Sequence, residues 1–71
     1  MFTKQRLDDL FTYHAPDGQQ TKDLVKVREK AREMAQVIVD STIPGRDQDA
    51  AIFNLRAAVM FTNTSIVLKG E

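Results

Sequence analysis

The chain has 71 residues, enough for one domain (1–71), and a core of that size supplies only about 3–5 kcal/mol by itself. It contains no cysteine, which excludes disulfides and thiolate metal sites and fits a reducing, intracellular setting. Ten basic and ten acidic residues cancel, and a chain of zero net charge is a poor candidate for a general duplex-DNA binder, though a local basic pocket for a small anion is compatible with it.

In chain order, residues 3–12 are predicted to form a short helix, with Leu7, Leu10 and Phe11 on one side. Met1-Phe2-Thr3-Lys4-Gln5-Arg6 leads into no signal-type apolar core, so export is not expected. Pro16 is expected to stop the short helix, because the residue before a proline avoids helical dihedrals. Asp17 is a good N-cap, and Gln20 occupies the N3 position of a capping box.

A long helix is predicted from Asp17 to Ser41. Leu24, Val27, Ala31, Met34 or Ala35, and Ile38 recur at helical steps; Lys22, Lys26 and Lys30 form a polar row, and Arg28 and Arg32 a third line. Pro44-Gly45 makes the turn. A second long helix is predicted from Arg46 or Asp47 to Leu68, ended by Gly70, with Asp47 and Asp49 at its positive end and Lys69 at its negative end. Ile52, Leu55, Val59 and Ile66 make one apolar stripe and Phe53, Met60 and Val67 a second. Ala51, Ala58, Phe61 and Leu68 widen this surface. Two antiparallel helices bury one stripe from each partner, so the second stripe and Phe61 are predicted to form an interface. No apolar run is long enough to be read as a membrane span.

The fold expected is therefore all-α: an antiparallel helical hairpin with a short N-terminal helix, assembling into a homo-oligomer. No catalytic constellation is evident. His14 is the only histidine, the carboxylates are mostly flanked by Lys or Arg, Ser41 and Ser65 lack triad context, and there is no glycine-rich phosphate loop. No catalytic residue, metal or cofactor is assigned. Tyr13, the only tyrosine, is either a packing aromatic or a platform for a nucleobase. The basic rows are either a solvated face with local ion pairs or a phosphate clamp, for which Arg28 and Arg32, one turn apart, suit one charged ligand.

Several segments together carry a resemblance: Tyr13-His14-Ala15-Pro16, the run Val27-Arg28-Glu29-Lys30-Ala31-Arg32-Glu33-Met34-Ala35, Pro44-Gly45-Arg46-Asp47, Asn54-Leu55, and Ala58-Val59-Met60-Phe61-Thr62-Asn63. Over nearly its whole length the chain resembles the phage anti-CBASS sponge proteins, which share a helical hairpin with the phage anti-Thoeris sponges. That resemblance implies a homohexamer in the cytoplasm of an infected bacterial host. Such a protein binds cyclic dinucleotides between protomers and cyclic trinucleotides at separate sites. It withholds these immune second messengers from the CBASS effector without cleaving them.

By position, Tyr13 matches the family tyrosine that stacks on a base, and Arg28, with Lys26 as the alternative, matches its basic partner. Phe11 and Pro16 would shape the pocket wall, with His14 beside them. Lys69 and Asn63 would serve trinucleotides; the family commonly reads Ile-Ala-Arg where this chain reads Ile66-Val67-Leu68-Lys69, and lysine lacks the planar fork. Phe61 stands where the family has tryptophan. The alternatives are a sponge for cyclic ADP-ribose isomers, of the anti-Thoeris kind, and a helical protein–protein interaction module that grips its partner through Phe53, Met60 and Val67.

Overall fold

The computed structural model describes residues 1–69. It contains three helices in the order α1 (Lys4–Phe11), α2 (Gly18–Ser41) and α3 (Arg46–Val67), with no strand among the described residues. The helix starts follow local chemistry. Thr3 caps α1, its Oγ1 accepting from the Arg6 backbone N–H at 3.1 Å. Asp17 caps α2 with a complete capping box: Gln20 N–H donates to Asp17 Oδ1 at 2.7 Å, and Asp17 N–H donates to Gln20 Oε1 at 3.0 Å. Gly45 begins α3 without a side-chain cap, and Asp47 and Asp49 in the first turn face the positive end of its dipole.

α2 and α3 pack as an antiparallel hairpin, held at both ends. At the turn, Thr42 Oγ1 donates to Ile38 O at 2.6 Å and accepts from Gln48 Nε2 at 3.0 Å. At the open end, Gln20 Nε2 donates to Ile66 O at 3.0 Å. Gln20 therefore serves twice: its oxygen closes the capping box, and its nitrogen donates to a carbonyl in the last turn of α3 that also accepts from the Lys69 backbone N–H at 3.4 Å. Gln20→Ala is expected to lower stability by about 1–2 kcal/mol, and Gln20→Glu to keep the cap and lose the tether. Urea unfolding of the three proteins checks this; an unchanged midpoint for Gln20→Ala would rule the tether out.

The inner stripe is the expected one. Leu24, Val27, Ala31, Ala35 and Ile38 of α2 are half-buried, as are Ile52, Leu55, Val59 and Ile66 of α3. Of the two α2 alternatives, Ala35 turns inward while Met34 is 49% exposed. Phe53, Met60 and Phe61 face outward at 64%, 60% and 76% exposure. Among the described residues none is fully buried, so one apolar layer is all that a single copy supplies.

Four expectations need correction. α1 spans Lys4–Phe11, within a residue of the expected 3–12 at each end, but Pro16 does not stop it: Thr12 turns extended, and Pro16 leads into the α2 cap. Val67 does not face outward with Phe53 and Met60: it is half-buried and faces the α1–α2 connection. α3 stops at Val67, with Leu68 as C-cap and Lys69 in the left-handed region at φ 56°; the stop assigned to Gly70 lies outside the described residues. By length and composition alone, α3 reaches the dimensions of a membrane-crossing helix, with a mean hydropathy of 1.2 over its best window. The outward stripe adds to the inward one there, and a helix lining an assembly interface has the same composition.

α1 makes no helix–helix packing with α2 or α3. Its apolar side stays open, with Leu7 and Leu10 at 43% and 38% exposure and Phe11 at 85%. The Arg6 guanidinium lies 4.7 Å from the Phe2 ring centroid, a contact within the N-terminal segment itself.

Candidate functional site

The connection from α1 to α2 sets the site. His14 Nε2 lies 2.6 Å from Asp9 O. A carbonyl only accepts, so this ring nitrogen carries the proton and donates. Asp9 O belongs to the last turn of α1, whose carbonyls have no helical partner. His14 is thus a C-terminal cap for α1, folding the chain back so that Tyr13 projects beside it.

Between this turn and the end of α3 lies a cleft of about 290 Å³. Asp9, Leu10, Thr12, Tyr13 and His14 line one side; Asn63, Thr64, Val67 and Leu68 line the other. Tyr13 is 84% exposed, so most of its ring is available at the cleft mouth. The apolar wall comes from Leu10, Val67 and Leu68, and the polar groups are few, as in sites that grip a flat ring and fix it by one or two hydrogen bonds. Asn63 Oδ1 is shielded from solvent and has no hydrogen-bond partner among the described residues.

A second, larger cleft of about 570 Å³ runs along α2 and is lined by Arg28, Glu29, Arg32 and Glu33. Arg32 Nη1 donates to Gln36 Oε1 at 3.2 Å. Among the described residues Arg28 has no carboxylate at ion-pair distance, whereas Lys30 pairs with Glu33 at 3.2 Å. The Arg28–Arg32 line is therefore real, and Arg28 is its uncommitted member.

The fold thus sorts the candidates differently from their order in the chain. It brings together Tyr13, His14 and Asn63, although Asn63 was expected at a separate trinucleotide site. It leaves Arg28 in the other cleft, roughly 12 Å farther along α2 than Gln20. Lys26 lines neither cleft. Phe11 and Pro16 do not line the Tyr13 cleft; Leu10 and Thr12 make that wall. Lys69 follows the end of α3 and is exposed. Thr64, Val67 and Leu68 were not singled out as site residues. Their pairing with Tyr13 depends on the hairpin register, which no local motif announces.

Among the described residues, no group of three or more His, Cys, Asp or Glu side chains is gathered as a metal site would require. The chain matches no protein-family model, no curated protein and no solved structure.

Proposed function

We propose that this protein is a phage-type sequestering protein, an anti-CBASS sponge that binds cyclic dinucleotides without cleaving them. The observation that carries this reading is the exposed Tyr13 ring at the mouth of a small cleft, in a chain that also carries an arginine line whose member Arg28 has no ion pair among the described residues. Tyr13 offers a face for a base, and Arg28 and Arg32 offer forks for phosphate. Because the two features occupy separate clefts in one chain, a pocket that uses both is completed by a second copy. Cyclic trinucleotides or cyclic ADP-ribose isomers are further ligands of this chemistry.

The surface area supports assembly. A compact monomer of 8.0 kDa exposes about 4,450 Å². This chain exposes 5908 Å², an excess of roughly 1,450 Å². Its radius of gyration is 15.2 Å, against about 11 Å for a compact chain of this length. The excess is close to two standard interface faces of about 800 Å² each, which suits an assembly larger than a dimer, such as the hexamer the resemblance implies. The same outward face, Phe53, Met60 and Phe61, also suits a helical interaction module. Such a module predicts no response to cyclic nucleotides.

The deciding experiment is calorimetric titration with cyclic di-AMP, cyclic di-GMP, a cyclic trinucleotide and cyclic ADP-ribose isomers. Chromatography of the ligand released by heating the complex follows. Ligand at about 100 times its Kd should stabilise the fold by about 2.7 kcal/mol and come back chemically intact. Recovery of a linear product would replace sequestration with hydrolysis, and no heat with any ligand would end the nucleotide reading.

A further inference from the structure

A cleft that grips a flat ring needs a further group to tell one ring from another, and Asn63 is placed to do so. Its Oδ1 is buried without a partner among the described residues, whereas nearly all buried side-chain acceptors in folded proteins have one. Two of the donors that line the cleft are committed elsewhere: the Thr64 hydroxyl donates to Met60 O at 3.1 Å and His14 Nε2 to Asp9 O. The terminal torsion of an asparagine has a broad, roughly two-fold profile, so turning the amide toward the cleft costs little.

The volume limits what enters. About 290 Å³ is at the lower limit of small-molecule sites, so the cleft takes one base of a larger ligand and leaves the remainder outside. An asparagine amide matches adenine, which offers the N6 amino donor beside the N7 acceptor. Guanine offers two acceptors on the same edge.

We propose that Asn63 is the base-reading residue of this cleft, its Oδ1 accepting from the exocyclic amino group of an adenine whose face rests on Tyr13. The assignment rests on the cyclic-nucleotide reading above and adds to it which base is chosen and by which atom.

The probes are cyclic di-AMP, its analogue with both adenines replaced by purine, which lacks only the amino group, and cyclic di-GMP. Wild-type protein should bind cyclic di-AMP roughly 5- to 150-fold more tightly than the purine analogue. In Asn63→Leu the gap should close, the cyclic di-AMP affinity falling to that of the analogue. The free Asn63→Leu protein should meanwhile melt roughly 4–8 °C higher, because an unpaired buried acceptor has been removed. Weaker binding by a more stable protein is a signature that a merely structural asparagine does not give.

Equal affinities for the two adenine probes in the wild type, a gap that survives in Asn63→Leu, or binding of cyclic di-GMP alone would each overturn the assignment and leave sequestration standing. A change in assembly mass in place of affinity would also overturn it, by giving Asn63 to a neighbouring copy. Binding of no cyclic nucleotide overturns both. Asn63→Ala repeats the comparison if the leucine variant does not fold, and the wild-type gap is read without any variant.

Discussion

Met60→Asp and Phe53→Asp should each yield a monomer of about 8.0 kDa that is largely unfolded at micromolar concentration, whereas wild type should scatter light as a particle several times that mass. Both side chains stand on the outward face of α3, at 60% and 64% exposure in the single copy. Covering either one in an assembly contributes about 1.5–3 kcal/mol. A buried, unpartnered carboxylate removes that term and adds a desolvation cost of several kcal/mol. The hairpin cannot offset the loss, since a core of this size supplies only about 3–5 kcal/mol and this one has no fully buried residue among those described. Met60→Leu, which nearly conserves volume, should cost less than about 1.5 kcal/mol and leave the mass unchanged. Light scattering and circular dichroism on the three variants are sufficient. A Met60→Asp protein that keeps both its mass and its helicity would show that this face is not the interface.

Tyr13→Ala should weaken cyclic dinucleotide binding by about 1–3 kcal/mol, or roughly 5- to 150-fold, while Tyr13→Phe stays near wild type, because the π-face does the stacking. Arg28→Ala should weaken binding and flatten its salt dependence; Arg28→Lys should restore only part, since the fork is lost. Lys69→Ala should leave dinucleotide affinity unchanged. The separate clefts of Tyr13 and Arg28 add a sharper expectation. If one copy supplies the ring and its neighbour the arginine, co-refolding equal amounts of Tyr13→Ala and Arg28→Ala should rebuild roughly a quarter of the pockets with both residues intact. Titration of the mixed assembly would then recover a tight-binding fraction absent from either parent. No recovery, with both parents impaired, would place the two residues on one copy. Parents that bind like wild type would remove both from the pocket.

The helices were legible from the sequence because their signals are local. The Asp17–Gln20 capping box, the three- and four-residue spacing of Leu24, Val27, Ala31 and Ile38, and the Pro44-Gly45 stop each act within about a turn of helix. The inner stripe of α3 was legible for the same reason. The end of α1 fell within a residue of the expected one, but its cause was not legible: in place of a stop at Pro16 there is an extended Thr12 and a carbonyl capped by His14, an arrangement that takes shape only when the chain folds back. The surplus apolar face was legible as a surplus, since two stripes on one helix exceed what one partner helix covers, but not in the placing of Val67, which the fold turns toward Tyr13.

Composition and periodicity by themselves determined an all-helical hairpin, without cysteine or net charge and with more apolar surface than one copy can bury. Tertiary structure decided which residues share a site. Tyr13 and Asn63 are distant in sequence, and they meet because the Gln20–Ile66 hydrogen bond sets the antiparallel register and His14 turns the α1 connection onto the end of α3. Arg28 is nearer to Tyr13 in sequence, yet the rise of α2 carries it into a different cleft. Helix-forming rules reach only a few residues along the chain. Register and chain reversal are long-range, and here the packed inner stripes, the Thr42–Gln48 contact at the turn and the Gln20–Ile66 hydrogen bond at the open end fix them together.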